Sequence, residues 1–403
     1  MRVFMFSWEY PPHVVGGLGK HVMELAPALA SGGVELHLIT PRLQGGSLEE
    51  GWRGLYVHRV DCPTMFHDYE FLSFVAVSNE MLERRARQLQ EEAGRPDVLH
   101  AHDWLVARAA VACKHRYHLP LLTTIHATER GRGRGQLVGE QAHAIHGTEW
   151  WLVYESWRVI CTSRYMARQV QEYFAAPADK LDVIPNGVDP TPFQALDGVD
   201  LSAFRQNYAA PDEKIVFNVG RVVEEKGVPV LVESVPRVLA RFPKAKFVVA
   251  GTGALWEAMR HRAWELGVDA RMYFTGYCPD DVRNRLFKVA DVAVFPSIYE
   301  PFGIVALEAM AARTPVVVSE TGGLAEVVRH AETGITIYPG DPDSLAWGIL
   351  HTLEHPEWAR LRVENAYREV LERYNWPLIA RQTAAVYERV AEECRRSEWG
   401  RGG

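Results

Sequence analysis

Two carboxylates flank one of the most apolar stretches of the chain, YEPFGIVALEA (299–309). Glu300 stands at its start and Glu308 near its end, about two helical turns on. Each has two readings. Glu300 follows an apolar run that reads as a strand, so it either meets a ligand at the strand end or favours the dipole of the next helix. Glu308 either touches a ligand that overhangs the helix or is an exposed helical glutamate. Gly303 falls at the predicted helix start, where backbone amides can grip a phosphate or a sugar hydroxyl. Thr321, Gly322 and Gly323 repeat that arrangement after the following strand.

Cations gather at another strand end. In VGRVVEEKG (219–227), Arg221 closes an apolar run and Lys226 lies near a predicted helix start. Two cations beside a helix N-terminus suit a diphosphate; the alternative is a solvated loop. Gly16, Gly17 and Leu18 belong to VVGGLGKH (14–21), which is either an anion-binding loop or a tight turn. It is neither the spaced GxGxxG fingerprint nor a P-loop.

Histidines cluster in HAHDW (100–104) and IHATERGRGRG (125–135). His100 and His102 share a strand face. With Asp103 and His126 they spell a conceivable metal set, but no acidic cage or catalytic-zinc helix accompanies them. The expectation is no metal, with His100 and His102 buried and hydrogen-bonded. His126 ends a strand before an Arg/Gly loop, where its ring can meet substrate. The DxD spelling in GDPDSL (340–345) is read as a helix start with Asp343 as N-cap, not as a metal ligand. Trp150, Trp151, Tyr154 and Trp157 are assigned to core packing rather than to stacking on a glucan. Residues 130–135, RGRGRG, read as a mobile loop whose arginines 130, 132 and 134 are either solvated or greet an anionic acceptor.

The elements that must position these residues alternate. Strand candidates at 3–8, 35–40, 97–102, 121–126 and 159–162 are interleaved with amphipathic helices such as 70–93 and one beginning near Lys20. The pattern restarts with strands at 214–221, 246–251, 272–276, 292–297 and 315–320. Strands alternating with helices imply parallel sheets wound on both faces. DVIPNGVDPTPF (182–193) is dense in turn formers and reads as a linker. The predicted fold class is α/β with two doubly wound domains, 1–190 and 191–375, facing across a deep cleft, and a final helical segment, 376–403. Ligands of such sheets sit beyond the carboxyl ends of the strands.

Composition narrows the class. The 403 residues are 47% hydrophobic and 24% charged, an ordinary globular balance. A net charge of -7 gives no basis for a nucleic-acid partner. No apolar run reaches the roughly 18 residues of a membrane span, and the N-terminus lacks the apolar core of a signal peptide. The five cysteines are scattered without a CxxC pair, which points to a reducing compartment, the cytoplasm. Oligomeric state is left open.

Taken together, EYPPHVVGGLGKH, HAHDW, VIPNGVD, GRVVEEKG, FTGY, FPSIYEPFGIVALEAMAARTPVVVSETGGLAEVV and YNWPLIARQT resemble, in order, the retaining GT-B glycosyltransferases of family 4 and the related bacterial glycogen and starch synthases. The resemblance runs through nearly the whole chain. It implies a nucleotide-sugar donor on the C-terminal domain, with Arg221 and Lys226 neutralising its diphosphate. Glu300 and Glu308 match the two acids of the E-x7-E motif, the first against the transferred sugar and the second on the ribose. The segments Phe302, Gly303 and Ile304, and Thr321, Gly322 and Gly323, match donor-contacting backbone. Gly16, Gly17 and Leu18 match the N-domain loop that closes over the donor, His126 a sugar contact, and Asp103 an acceptor-side acid. The last helix matches one that crosses back to the N-terminal domain. No metal or other cofactor is implied. The implied reaction moves glucose from ADP-glucose or UDP-glucose to the non-reducing end of an α-1,4-glucan. Val14 stands where glycogen synthases usually carry a lysine, and the PPxxxGGxG form also occurs in relatives that use small sugars, sugar phosphates or lipid-linked acceptors. A non-catalytic sugar-nucleotide binder is the third reading.

Overall fold

In the computed structural model, residues 1–63 and 70–401 are described. The chain divides into two units, Gly187–Asn375 and a unit built from Met1–Asn186 with the segment that begins at Trp376.

The first unit is an eight-stranded sheet. Its strands are β1 (Arg2–Phe6), β2 (Glu35–Pro41), β3 (Glu49–Trp52), β4 (Leu55–Val60), β5 (Val98–His102), β6 (Leu121–Ile125), β7 (Arg158–Cys161) and β8 (Leu181–Val183). Their order is β3-β4-β2-β1-β5-β6-β7-β8, parallel except for the β3–β4 hairpin. Val3 to Phe6 are buried in succession, the unalternating pattern of a central parallel strand covered on both faces. The chain leaves β1 toward β2 on one side and returns to β5 on the other. The loops after β1 and β5 therefore run to opposite faces, and a crevice opens at their carboxyl ends. The helix Trp376–Arg396 packs on the helix Gly17–Ser31, with the Trp376 indole donating to Glu24 and the Tyr387 hydroxyl 2.7 Å from His100 Nδ1.

The second unit is a six-stranded, all-parallel sheet of β9 (Lys214–Val219), β10 (Ala245–Ala250), β11 (Met272–Gly276), β12 (Val292–Phe295), β13 (Val316–Ser319) and β14 (Ile335–Ile337), in the order β11-β10-β9-β12-β13-β14. Here the order reverses between β9 and β12. Among the described residues, no helix is long and apolar enough to cross a membrane.

Four strands escape the sequence reading. β3 is exposed at all four positions, so it has no apolar alternation to detect. It pairs with β4 through Arg53 and Gly54, both at positive φ (44° and 88°), as a two-residue hairpin turn demands. β8 and β14 have three residues each, too short for a period. The first helix begins at Gly17, not near Lys20. Within 130–135 there is a one-turn helix, Glu129–Arg132, in place of a simple loop. The Thr128 hydroxyl caps it by accepting from the Gly131 amide at 3.0 Å.

Candidate functional site

In the second unit the expected residues meet at the switch point. After β9 the chain passes Arg221 and makes a tight turn, Glu224–Lys226, that ends on Gly227 at φ +68°. A Cβ on Gly227 would stand 1.8 Å from the Pro296 carbonyl, so glycine lets the β9 loop lie directly on the β12 loop. The Glu225 carbonyl accepts from the amides of Ile298 (2.8 Å) and Tyr299 (3.2 Å). This contact carries Lys226 Nζ to 2.7 Å from Glu300 Oε2, while Ser297 Oγ donates to the same oxygen at 3.3 Å. Arg221, half-exposed, pairs with Glu225.

Beyond Glu300 the backbone is drawn tight. Gly303 caps the helix Ile304–Ala311 at φ +103°, and a Cβ there would meet Leu324 at 2.5 Å. The Gly323 amide donates to the Glu300 carbonyl at 2.8 Å, and a Cβ on Gly323 would stand 2.4 Å from Phe302 Cα. Thr321 Oγ1 donates to the Ile298 carbonyl at 3.1 Å. Glu308 is not an exposed glutamate: its side chain is 2% exposed, and Arg283 Nη2 lies 3.4 Å from it. The two acids therefore have different cations, Lys226 for Glu300 and Arg283 for Glu308. What the unit offers is one cation on a buried carboxylate, a second, half-exposed cation earlier in the same loop, and a glycine-lined backbone, equipment suited to an anionic, hydroxyl-bearing ligand.

In the first unit Gly16 caps the helix Gly17–Ser31, with Gly17 exposed and Leu18 buried. Glu9 Oε2 accepts from the amides of Val15 (2.8 Å) and Gly16 (3.1 Å). Two amides of this loop thus already hold the chain's own carboxylate. His100 is fully buried between Tyr387 and Thr124 Oγ1 (2.8 Å). His102 Nδ1 lies 3.0 Å from His126 Nε2, and the His21 ring stands edge-on to His126 at 4.7 Å. Burial holds these rings neutral, lowering His21 to about 4 and His100 to about 3, with His102 and His126 also well below the usual range. Asp103, buried at φ +58°, accepts the His126 amide at 2.7 Å, and burial pushes its carboxyl up to about 7.

Several expected residues stand elsewhere or do other work. Asp341, not Asp343, is the N-cap: its Oδ1 accepts from the amides of Asp343 (2.8 Å) and Ser344 (3.1 Å), while the Asp343 carboxylate pairs with Arg237. Trp150 and Tyr154 are not core residues. They are exposed and stack on one another at 5.5 Å, one turn apart on the helix Gly139–Glu155; Trp151 and Trp157 pack as assigned. Three contributors went unforeseen. His21 lies in a quoted motif, but its place one turn into the helix depends on the true helix start. Glu149 accepts the Glu129 amide at 2.9 Å, and Arg283 pairs with Glu308; both are helix positions with no local signature.

Two family models match the chain, Glycosyltransferase Family 4 over residues 15–191 and Glycosyl transferases group 1 over residues 201–369. An uncharacterized glycosyltransferase of Methanocaldococcus jannaschii is 39% identical over 97% of this chain and 99% of its own length. This chain is a family 4 glycosyltransferase. A glycogen synthase of Mycobacterium tuberculosis is 35% identical, covering 96% of this chain and 94% of the relative. Among solved structures, the sucrose-phosphate synthase of Thermosynechococcus elongatus superposes with a TM-score of 0.82 at 25% identity, over 97% of this chain and 99% of that one. The fold is GT-B, with the two parallel sheets described above as its two domains. In this glycosyltransferase Lys226 and Glu300 meet where β9 neighbours β12 in the second sheet.

Proposed function

We propose that this glycosyltransferase moves glucose, with retention, from ADP-glucose or UDP-glucose to the non-reducing end of an α-1,4-glucan. The observation that carries the donor reading is the Lys226–Glu300 pair at the β9/β12 switch point, with Arg221 in the same loop after β9. As the bond from the sugar carbon to the diphosphate oxygen breaks, Lys226, Arg221 and the nearby amides stabilise the charge left on that oxygen. Glu300 lies against the sugar and Glu308 on the ribose. The acceptor hydroxyl attacks the same sugar carbon from the face of the departing diphosphate, which takes its proton. The step needs no glutamate nucleophile and no divalent ion. By the family resemblance, His126 is assigned to the sugar and Asp103 to the acceptor.

The glycogen synthase relative favours the glucan acceptor. A second reading, transfer to a small sugar phosphate, rests on Val14 in place of lysine and on the likeness to a sucrose-phosphate synthase. Mass spectrometry of products from a donor panel offered maltooligosaccharides and glucose phosphates separates the two. Extension of maltooligosaccharides by one hexose supports the first; products only from the phosphates support the second. All five cysteines are free thiols, in keeping with a cytoplasmic enzyme.

A further inference from the structure

The first unit holds a cluster that the transfer reaction leaves unexplained. His21, His102 and His126 come from the helix after β1, the end of β5 and the end of β6, and one ring nitrogen from each lies within 4.8 Å of the others. His21 Nδ1 is 2.7 Å from Asn186 Oδ1. An amide oxygen only accepts, so His21 Nδ1 carries the proton and Nε2 is left as a bare lone pair. His102 uses Nδ1 toward His126, which leaves its own Nε2 open. Neither open atom has a hydrogen-bond partner among the described residues, although His21 is 3% exposed and His102 fully buried. Leaving such atoms unmet costs about 1–3 kcal/mol each.

We propose that these three histidines bind one divalent transition-metal ion of the zinc class, as an inhibitory site rather than as a catalytic one. Neutral imidazole is the ligand such ions prefer, and an all-nitrogen set with no carboxylate cage excludes magnesium and calcium. Zinc bound by three histidines keeps a fourth position for water or another ligand. With nitrogens about 2.0–2.1 Å from the ion, the rings must draw together from their present spacing. Asn186 fixes the His21 tautomer that presents Nε2, the outer-shell role that partners of ligating histidines fill. His126 serves both the metal site and the proposed sugar contact. An ion that engages it withdraws it from the sugar, so metal binding slows transfer.

The test titrates the intact protein with Co2+ and follows its visible ligand-field absorption, then displaces it with Zn2+. This measurement does not depend on any transferase assay, so it stands whether or not the proposed donor and acceptor are right. The expected result is one ion per chain, with His21→Gln and His102→Gln each weakening binding by more than about 100-fold, beyond the loss typical of an outer-shell partner. Asn186→Ala should weaken it about 10–100-fold and serves if the histidine variants fold poorly. No Co2+ absorption, or equal binding by all three variants, overturns the site. Donor turnover or hydrolysis that Zn2+ leaves unchanged at full occupancy overturns the inhibitory role.

Discussion

Lys226 Nζ lies 2.7 Å from Glu300 Oε2, and the two residues come from loops on either side of the β9/β12 switch point. The carboxylate side chain is only 9% exposed, so the ammonium is what makes its burial tolerable. Lys226→Ala should therefore do two kinds of damage. It leaves a buried charge unpaired, costing up to about 3 kcal/mol of stability. It also removes a stabiliser of the leaving diphosphate, lowering turnover by about 3–4 kcal/mol, a factor of several hundred. Urea denaturation and steady-state kinetics read the two separately. Near-parental turnover in the variant would refute the donor-site assignment.

Arg221 provides the contrast. Its side chain is 50% exposed and its partner Glu225 lies in the same loop. An exposed pair of this kind contributes little to stability, about 0–1 kcal/mol. Arg221→Ala should keep the parental melting temperature within a few degrees while turnover falls by a factor of a hundred or more, about 3 kcal/mol. A variant that loses stability but not turnover would make Arg221 a structural residue.

How much of this was legible in the sequence depends on the range of each signal. Arg221, Lys226, Glu300 and Gly303 sit where short apolar runs end, and those runs are visible without a structure. The pairing of Lys226 with Glu300 was not legible, because it depends on strand order: β9 neighbours β12, and nothing local announces that. Arg283, Glu149 and His21 were missed for the same reason. Each lies inside a helix, and its partner comes from a distant part of the chain: Glu308 for Arg283, the Glu129 amide for Glu149, Asn186 for His21. Trp150 and Tyr154 were misassigned because a cluster of aromatic residues looks like core wherever the helix face is unknown. The short edge elements, β3, β8 and β14, carry too few buried positions to leave a period.

The closeness of the two loops can be tested at one glycine. Gly227 and Gly267 share φ +68°, but a Cβ at Gly227 would stand 1.8 Å from the Pro296 carbonyl, whereas Gly267 has nothing within 4 Å. Gly267→Ala should cost only the left-handed penalty, about 1–2 kcal/mol. Gly227→Ala should cost at least about 2 kcal/mol more and lower turnover, because the β9 loop must lift and take Lys226 with it. Equal costs at the two positions in equilibrium denaturation would show that the loop contact is not tight.

Glu308 is buried against Arg283 on the helix that Gly303 caps. If its task is the ribose, its contacts are made equally in the ground and transition states. Glu308→Gln should then raise the donor KM about tenfold or more while kcat changes by less than a factor of three, the signature of lost uniform binding. The reverse pattern, a fallen kcat at constant KM, would show that Glu300 and Glu308 have been given each other's roles.

Glu149 makes a pH prediction whose sign can be worked out. Its carboxyl lies beneath the residues that follow β6, accepting the Glu129 amide, and burial pushes it up from 4.5 to about 8, against the opposing effects of that amide and of Arg132. Below pH 4.5 the carboxyl is protonated in both the folded and unfolded chains and carries no penalty. As pH rises toward 8 the unfolded chain releases this proton first, so folding loses stability at up to about 1.4 kcal/mol per pH unit. Glu149→Gln removes the titration while keeping an oxygen for the Glu129 amide. The variant's stability relative to the parent should therefore climb between pH 5 and pH 8 and level off above it. Urea denaturation at half-unit pH steps measures that difference. Parallel profiles for the two proteins would mean that Glu149 is ionised in the folded state and that Arg132 and the amide outweigh its burial.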